Sequence, residues 1–149
     1  MGTIELFTIG FTQKPAERFF GLLKENNVDL LIDIRRKPEG QLSGFAKKAD
    51  LPYFMNSLVG GQYLHMPELA PEDDILSAYR KNKDWSQFEA RFNEQMDHSN
   101  IPVGLDRALF ESHRSCLLCS EHRPEQCHRR FVAERIARSW DGVTIHHLY

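Results

Sequence analysis

Residues Cys116 to Arg129 read Cys-Leu-Leu-Cys-Ser-Glu-His-Arg-Pro-Glu-Gln-Cys-His-Arg and hold all three cysteines of the chain, with two histidines, two carboxylates and two arginines. Thiols and imidazoles are the side chains that attack electrophiles, bind soft transition metals and carry protons near neutral pH. The chain's chemistry is expected here. Cys116, Leu117, Leu118 and Cys119 form a short apolar run that ends in polar residues and Pro124, the pattern of a buried strand in a parallel sheet. From Gln126 the period changes. Phe131, Val132, Arg135 and Ile136 fall at helical spacing, which predicts a helix from Gln126 or Cys127 to about Trp140. Cys119 would then end a strand, and Cys127 and His128 would lie in the first turn of the next helix. Unpaired amides and the helix dipole there favour negative charge, so the Cys127 thiol is expected to have a lowered pKa.

Two chemistries fit these residues. In one, Cys127 is a thiolate nucleophile or redox thiol, with Glu121, His128 or His65 moving protons. In the other, Cys119, Cys127 and a histidine such as His128 hold a transition metal such as zinc, with one position open to substrate. The spacing is not that of a zinc finger. Cys116 and Cys119 spell Cys-x-x-Cys, but residues three apart on a strand point to opposite faces, so Cys116 reads as a small core residue.

Positioning such a site takes a layered scaffold. With 149 residues, 41% of them hydrophobic, the chain is expected to form a single domain, 1–149, with one sizeable core. Strand and helix signals alternate. Glu5 to Ile9 reads as a strand, Pro15 to Asn26-Asn27 as an amphipathic helix with Ala16, Phe19, Phe20 and Leu23 on one face, and Leu30 to Ile34 as a second apolar strand. A short helix follows from Asp50-Leu51-Pro52 to Gly60-Gly61, then an edge strand from Gln62 to Met66. Trp85, Phe88, Phe92 and Met96 form one helical stripe that suits core packing better than a cofactor box. Leu105 to Phe110 suggests another helix, and Val143 to Leu148 a last strand. The expected fold is α/β, with about five mostly parallel strands flanked by helices.

Ligands of such sheets bind at the carboxyl ends of the strands, near a switch in strand order. Gly10, Phe11 and Thr12, Arg35, His65 and Cys119 occupy those ends and should converge beside Cys127 and His128. Arg35 and Arg129 could hold an anion through paired donors, with Gly10, Thr12 and His65 as further substrate contacts. Arg35 shares its strand parity with Asp33, so an internal ion pair that fixes the following loop competes with that role. His146 and His147, one on each face of the last strand, read as structural or exposed.

The formal charge of −2 and the absence of a long basic run leave nucleic-acid binding without electrostatic support, although a local basic pocket remains compatible with them. Neither a membrane span nor a signal-peptide layout is visible, and an odd number of cysteines argues for reduced thiols. A cytoplasmic protein is expected.

Several motifs carry a family resemblance. Thr8-Ile9-Gly10-Phe11-Thr12, Asp33-Ile34-Arg35 with Pro38, Tyr63-Leu64-His65-Met66-Pro67-Glu68-Leu69, Leu117-Leu118-Cys119-Ser120-Glu121 and Cys127-His128-Arg129 are similar, in order, to the marks of the domain-of-unknown-function family numbered 488. Phe11 and Thr12 stand where that family has His-Ser, and Ala70 where it has glycine, so any role of the opening histidine is absent here. The resemblance implies that the converging strand ends form the family's site, without naming an activity. Asp33-Ile34-Arg35 also looks like a strand of rhodanese-like sulfurtransferases. The loop after Cys119, however, has no glycine and carries two acids, and Cys127 leads straight into helix, so the amide cradle of rhodaneses and cysteine phosphatases is not expected. These features together favour a cysteine-centred site acting on a small or nucleotide-like anion, with non-enzymatic binding of metal or nucleic acid as the alternative.

Overall fold

A computed structural model describes residues 3–38, 44–121, 124 and 127–149. Five strands form one wholly parallel sheet in the order β3-β2-β4-β1-β5: β1 Ile4–Gly10, β2 Leu30–Asp33, β3 Gln62–His65, β4 Ser115–Cys119 and β5 Val143–Leu148. Strand and helix alternate as the hydrophobic pattern requires. α1 (Ala16–Glu25) follows β1, and α2 (Leu51–Phe54), continued by a π-helical turn over Met55–Val59, follows β2. Gly60 ends that turn with φ of 80°, in the left-handed region that glycine enters without steric cost. α3 (Asp73–Asn82), α4 (Trp85–His98) and α5 (Arg107–Ser112) lie between β3 and β4, and α6 (His128–Ser139) between β4 and β5.

The alternation of side chains along each strand divides the core in two. Phe7, Ile9, Leu31, Cys116 and Leu118 pack on one face with Phe19, Phe20 and Leu23 of α1. Ile4, Leu6, Ile32 and Leu117 pack on the other with Phe88 and Phe92 of α4 and Val132 and Ile136 of α6. The helical stripe of α4 is therefore core, as its spacing predicts. Trp85 at its start stacks on Phe88 and Phe131, with ring centroids 4.8 and 5.4 Å apart.

This division positions the site. The chain leaves β2 towards the α1 face and leaves β4 towards the α6 face, so the loops after these adjacent strands part and open a crevice. Beyond the sheet, the Phe11 and Thr12 amides donate to the carbonyls of Cys119 and Ser120, at 3.3 and 3.2 Å, extending the β1–β4 pairing into the loops. No helix among the described residues is long and apolar enough to cross a membrane.

Candidate functional site

Cys119 ends β4, and its sulfur lies 3.3 Å from Nδ1 of His128 in the first turn of α6. The other ring nitrogen, Nε2, is 2.8 Å from the Ile34 carbonyl. A carbonyl can only accept, so Nε2 carries the proton and Nδ1 presents a lone pair to the sulfur. Phe92 fixes the ring edge to face at 5.6 Å. Cys127 completes the group: one ligating atom each from Cys119, Cys127 and His128 lies within 4.8 Å of the others, and all three residues are buried. These are the residues that could hold a soft metal ion.

The two sulfurs differ in charge. Burial alone would raise the Cys119 pKa, but the Cys127 thiol, the Arg129 cation and the Ser120 and Glu121 amides all stabilise its thiolate, and the net shift is downward. Cys127 goes the other way. Burial and the neighbouring Cys119 sulfur push its pKa well above the ordinary thiol value. The lowered pKa expected of Cys127 from its helix position is thus found on Cys119. Cys127 stands just before α6, whose first residue is His128, and is 3% exposed. Desolvation there outweighs the helix dipole, whose effect is confined to the end turn. Cys116 is a fully buried core residue with its pKa raised by burial, as strand parity requires.

A cavity of about 440 Å³ opens onto this cluster, lined by Cys119, Glu121, Cys127 and His128 on one side and by Arg35 and Arg36 from the loop after β2. Across it stands one face of α3, with Leu76, Tyr79 and Arg80 at helical spacing and Lys83 just beyond the helix end. Trp85 and Lys37 also contribute to the wall. Sequence reasoning missed this side. The available signals were the Arg35-Arg36-Lys37 run after an apolar strand and the i, i+3, i+4, i+7 set 76, 79, 80 and 83, which mixes apolar and cationic residues on one face.

The other expected contacts have different partners. Arg35 forms a two-pronged pair with Asp33, each contact 2.8 Å, and donates to the Ala46 carbonyl at 2.6 Å. Asp33 is fully buried and also accepts the Tyr63 hydroxyl at 2.6 Å. The ion pair weighed against a substrate role for Arg35 is therefore present, although Arg35 also lines the cavity. His65 Nε2 contacts the Arg35 carbonyl at 2.7 Å, which braces the same loop. Thr12 donates its hydroxyl to the Ser120 carbonyl at 2.7 Å.

Arg129 is fully buried and is not among the residues lining the cavity. It donates to the Glu121 carbonyl and to the Thr8 hydroxyl, the latter at 3.2 Å, and its charge favours the Cys119 thiolate. Gly10 makes this possible: a Cβ there would lie 1.5 Å from the Glu121 carbonyl oxygen. Of the amide cradle judged missing from the sequence, the Ser120 and Glu121 amides are present at the Cys119 sulfur. His122, Arg123, Glu125 and Gln126, the rest of that loop and one of the two expected helix starts, lie outside the described residues, and α6 begins one residue after the other, Cys127.

Comparison with curated proteins finds no match, and neither does comparison with solved structures. A family model described as "Domain of unknown function DUF488" matches residues 15–136, beginning just after the opening motif in which Phe11 and Thr12 replace His-Ser. The matched span includes Asp33, Arg35, His65, Cys119, Cys127 and His128, and the chain belongs to the DUF488 family.

Proposed function

We propose that the protein is a thiol-dependent enzyme in which Cys119 is the nucleophile, His128 its proton partner, and the adjoining cavity the seat of a small anionic substrate. One observation carries this reading: a single sulfur at the carboxyl edge of the sheet is approached by an imidazole nitrogen, a second thiol and two backbone amides, and it opens onto a cavity with cationic walls. The Cys119 proton passes to Nδ1 of His128. The sulfur then attacks an electrophilic carbon of the substrate, and as the new S–C bond forms the bond to the leaving group breaks. That group departs with the electron pair and takes the Nδ1 proton. Water, deprotonated by the same nitrogen, releases the product and restores the thiol. Glu121 lines the cavity wall, and in this reading it shares in proton transfer. A reduced catalytic thiol also suits the expected cytoplasmic setting.

The test is labelling with iodoacetate against neutral iodoacetamide. Cys119 should be the residue modified in the folded protein, the anionic reagent should gain most at low salt, and that gain should shrink as salt screens the cavity. Modification of Cys127 alone, or of no cysteine until the protein is denatured, would contradict the assignment.

The clustering of three ligand atoms, with the second nitrogen of His128 held by a carbonyl as metal-bound histidines commonly are, favours a second reading. In it, Cys119, Cys127 and His128 hold zinc or a similar ion. Metal content of untagged protein purified without chelator separates the two: about one ion per chain supports the second, and a metal-free protein with a reactive Cys119 supports the first.

A further inference from the structure

We infer that the cavity beside Cys119 takes a phosphorylated ring compound of about nucleoside-monophosphate size. The part Cys119 plays towards this ligand rests on the thiol-enzyme reading; the binding itself does not. Two features of the wall are combined. Among the described residues, Arg36, Lys37, Arg80 and Lys83 outnumber the acids Asp73 and Glu121 on this wall; Arg36 donates to the Pro71 and Ala70 carbonyls at 2.8 and 3.4 Å and adds only its field, and Lys37 approaches Asp73 only to 3.9 Å, a separation at which surface pairing contributes little. The charge of Lys37, Arg80 and Lys83 is open to an anion, and a guanidinium such as that of exposed Arg80 matches phosphate oxygens in pairs.

The second feature is apolar. Leu76, Tyr79 and Trp85 are half-buried rather than sealed in the core, and all three line the same cavity. A hydrated inorganic anion would gain nothing from such a wall, whereas a flat ring would bury apolar surface against it. Tyr79 and Trp85 brace each other edge to face at 5.5 Å, and Lys83 stands over the Tyr79 ring at 5.5 Å. Charge and ring surface are thus adjacent and fixed before a ligand arrives, which lowers the ordering cost of binding. A volume of about 440 Å³ falls in the range of small-molecule sites.

Calorimetric titration of the whole protein at low salt with uridine and adenosine 5′-monophosphates, ribose 5-phosphate, inorganic phosphate and benzoate tests this. The nucleoside monophosphates should bind about tenfold or more tighter than each of the other three, and Arg80→Glu, an exposed change, should weaken them by about tenfold. Lys37→Glu should act in the same direction. Equal affinity for phosphate or ribose 5-phosphate, tighter binding of benzoate, or indifference to both charge reversals would overturn the inference. The same titration on Cys119→Ser keeps the two proposals apart. Nucleotide binding by a protein whose Cys119 proves unreactive leaves this inference standing alone, and a reactive Cys119 in a protein that binds no nucleotide overturns it and leaves the thiol reading.

Discussion

Cys127 offers its thiol proton to the sulfur of Cys119, so two cysteines with opposite pKa shifts share one site at the entrance to α6. Cys127 is in this arrangement the donor, and in the proposed thiol enzyme Cys119 is the nucleophile. Cys127→Ser, which keeps an O–H donor, should leave the alkylation rate of Cys119 close to that of the wild type. Cys127→Ala should raise the Cys119 pKa and slow its alkylation near neutral pH by about tenfold, the worth of one hydrogen bond to a charged sulfur. Equal rates for the serine and alanine variants would show that the donor is unimportant.

Asp33 and Arg35 form a buried pair, with side chains 0% and 7% exposed. Arg35→Ala would strand a buried carboxylate, and a loss of about 3–5 kcal/mol is expected in chemical denaturation. Tyr63→Phe, which removes one of several donors to Asp33, should cost about 1–3 kcal/mol. A stable Arg35→Ala protein with impaired ligand binding would instead give Arg35 the substrate role.

Gly10 is pressed against the carbonyl that Arg129 holds. In Gly10→Ala the Glu121 backbone must move, at a cost of about 1–3 kcal/mol, and Cys119 should lose both its Glu121 amide and part of the Arg129 field. Denaturation together with alkylation kinetics checks both effects. Cys116→Ala is the matching control, since it should cost about 1 kcal/mol for the vacated core volume and leave Cys119 reactivity unchanged.

Lys14 donates to the Gly10 carbonyl at 2.7 Å. Burial, with the Arg129 and Arg18 cations, brings its pKa down to about 8. A lowered lysine pKa means a larger neutral, nucleophilic fraction at a given pH. Limiting acetic anhydride at a pH near that value should therefore acylate Lys14 ahead of exposed Lys24 and Lys81, as read by peptide mapping, and the preference should fade at higher pH as the other lysines also lose their protons.

The sheet was legible because period is written into the chain. Leu30 to Ile34, Asp33 apart, and Cys116 to Cys119 are apolar on both faces, as central parallel strands must be, and Gly60 marks the left-handed turn before β3. Strand ends were enough to place Cys119, Cys127 and His128 together. The protonation of the two sulfurs was not legible. It depends on desolvation at Cys127 and on Arg129 reaching back beneath Gly10, and neither follows from position in a helix. The α3 wall was hidden for another reason: nothing in the linear order of Tyr79, Arg80 and Lys83 says that α3 stands opposite the Cys119 loop.

Ultraviolet titration of thiolate absorbance in the wild-type protein, Cys119→Ser and Cys127→Ser tests the central claim most directly. The account predicts one thiol that ionises below the ordinary cysteine range in the wild type, persists in Cys127→Ser and disappears in Cys119→Ser. A low step that survives the loss of Cys119, or its absence from the wild type, would contradict the account.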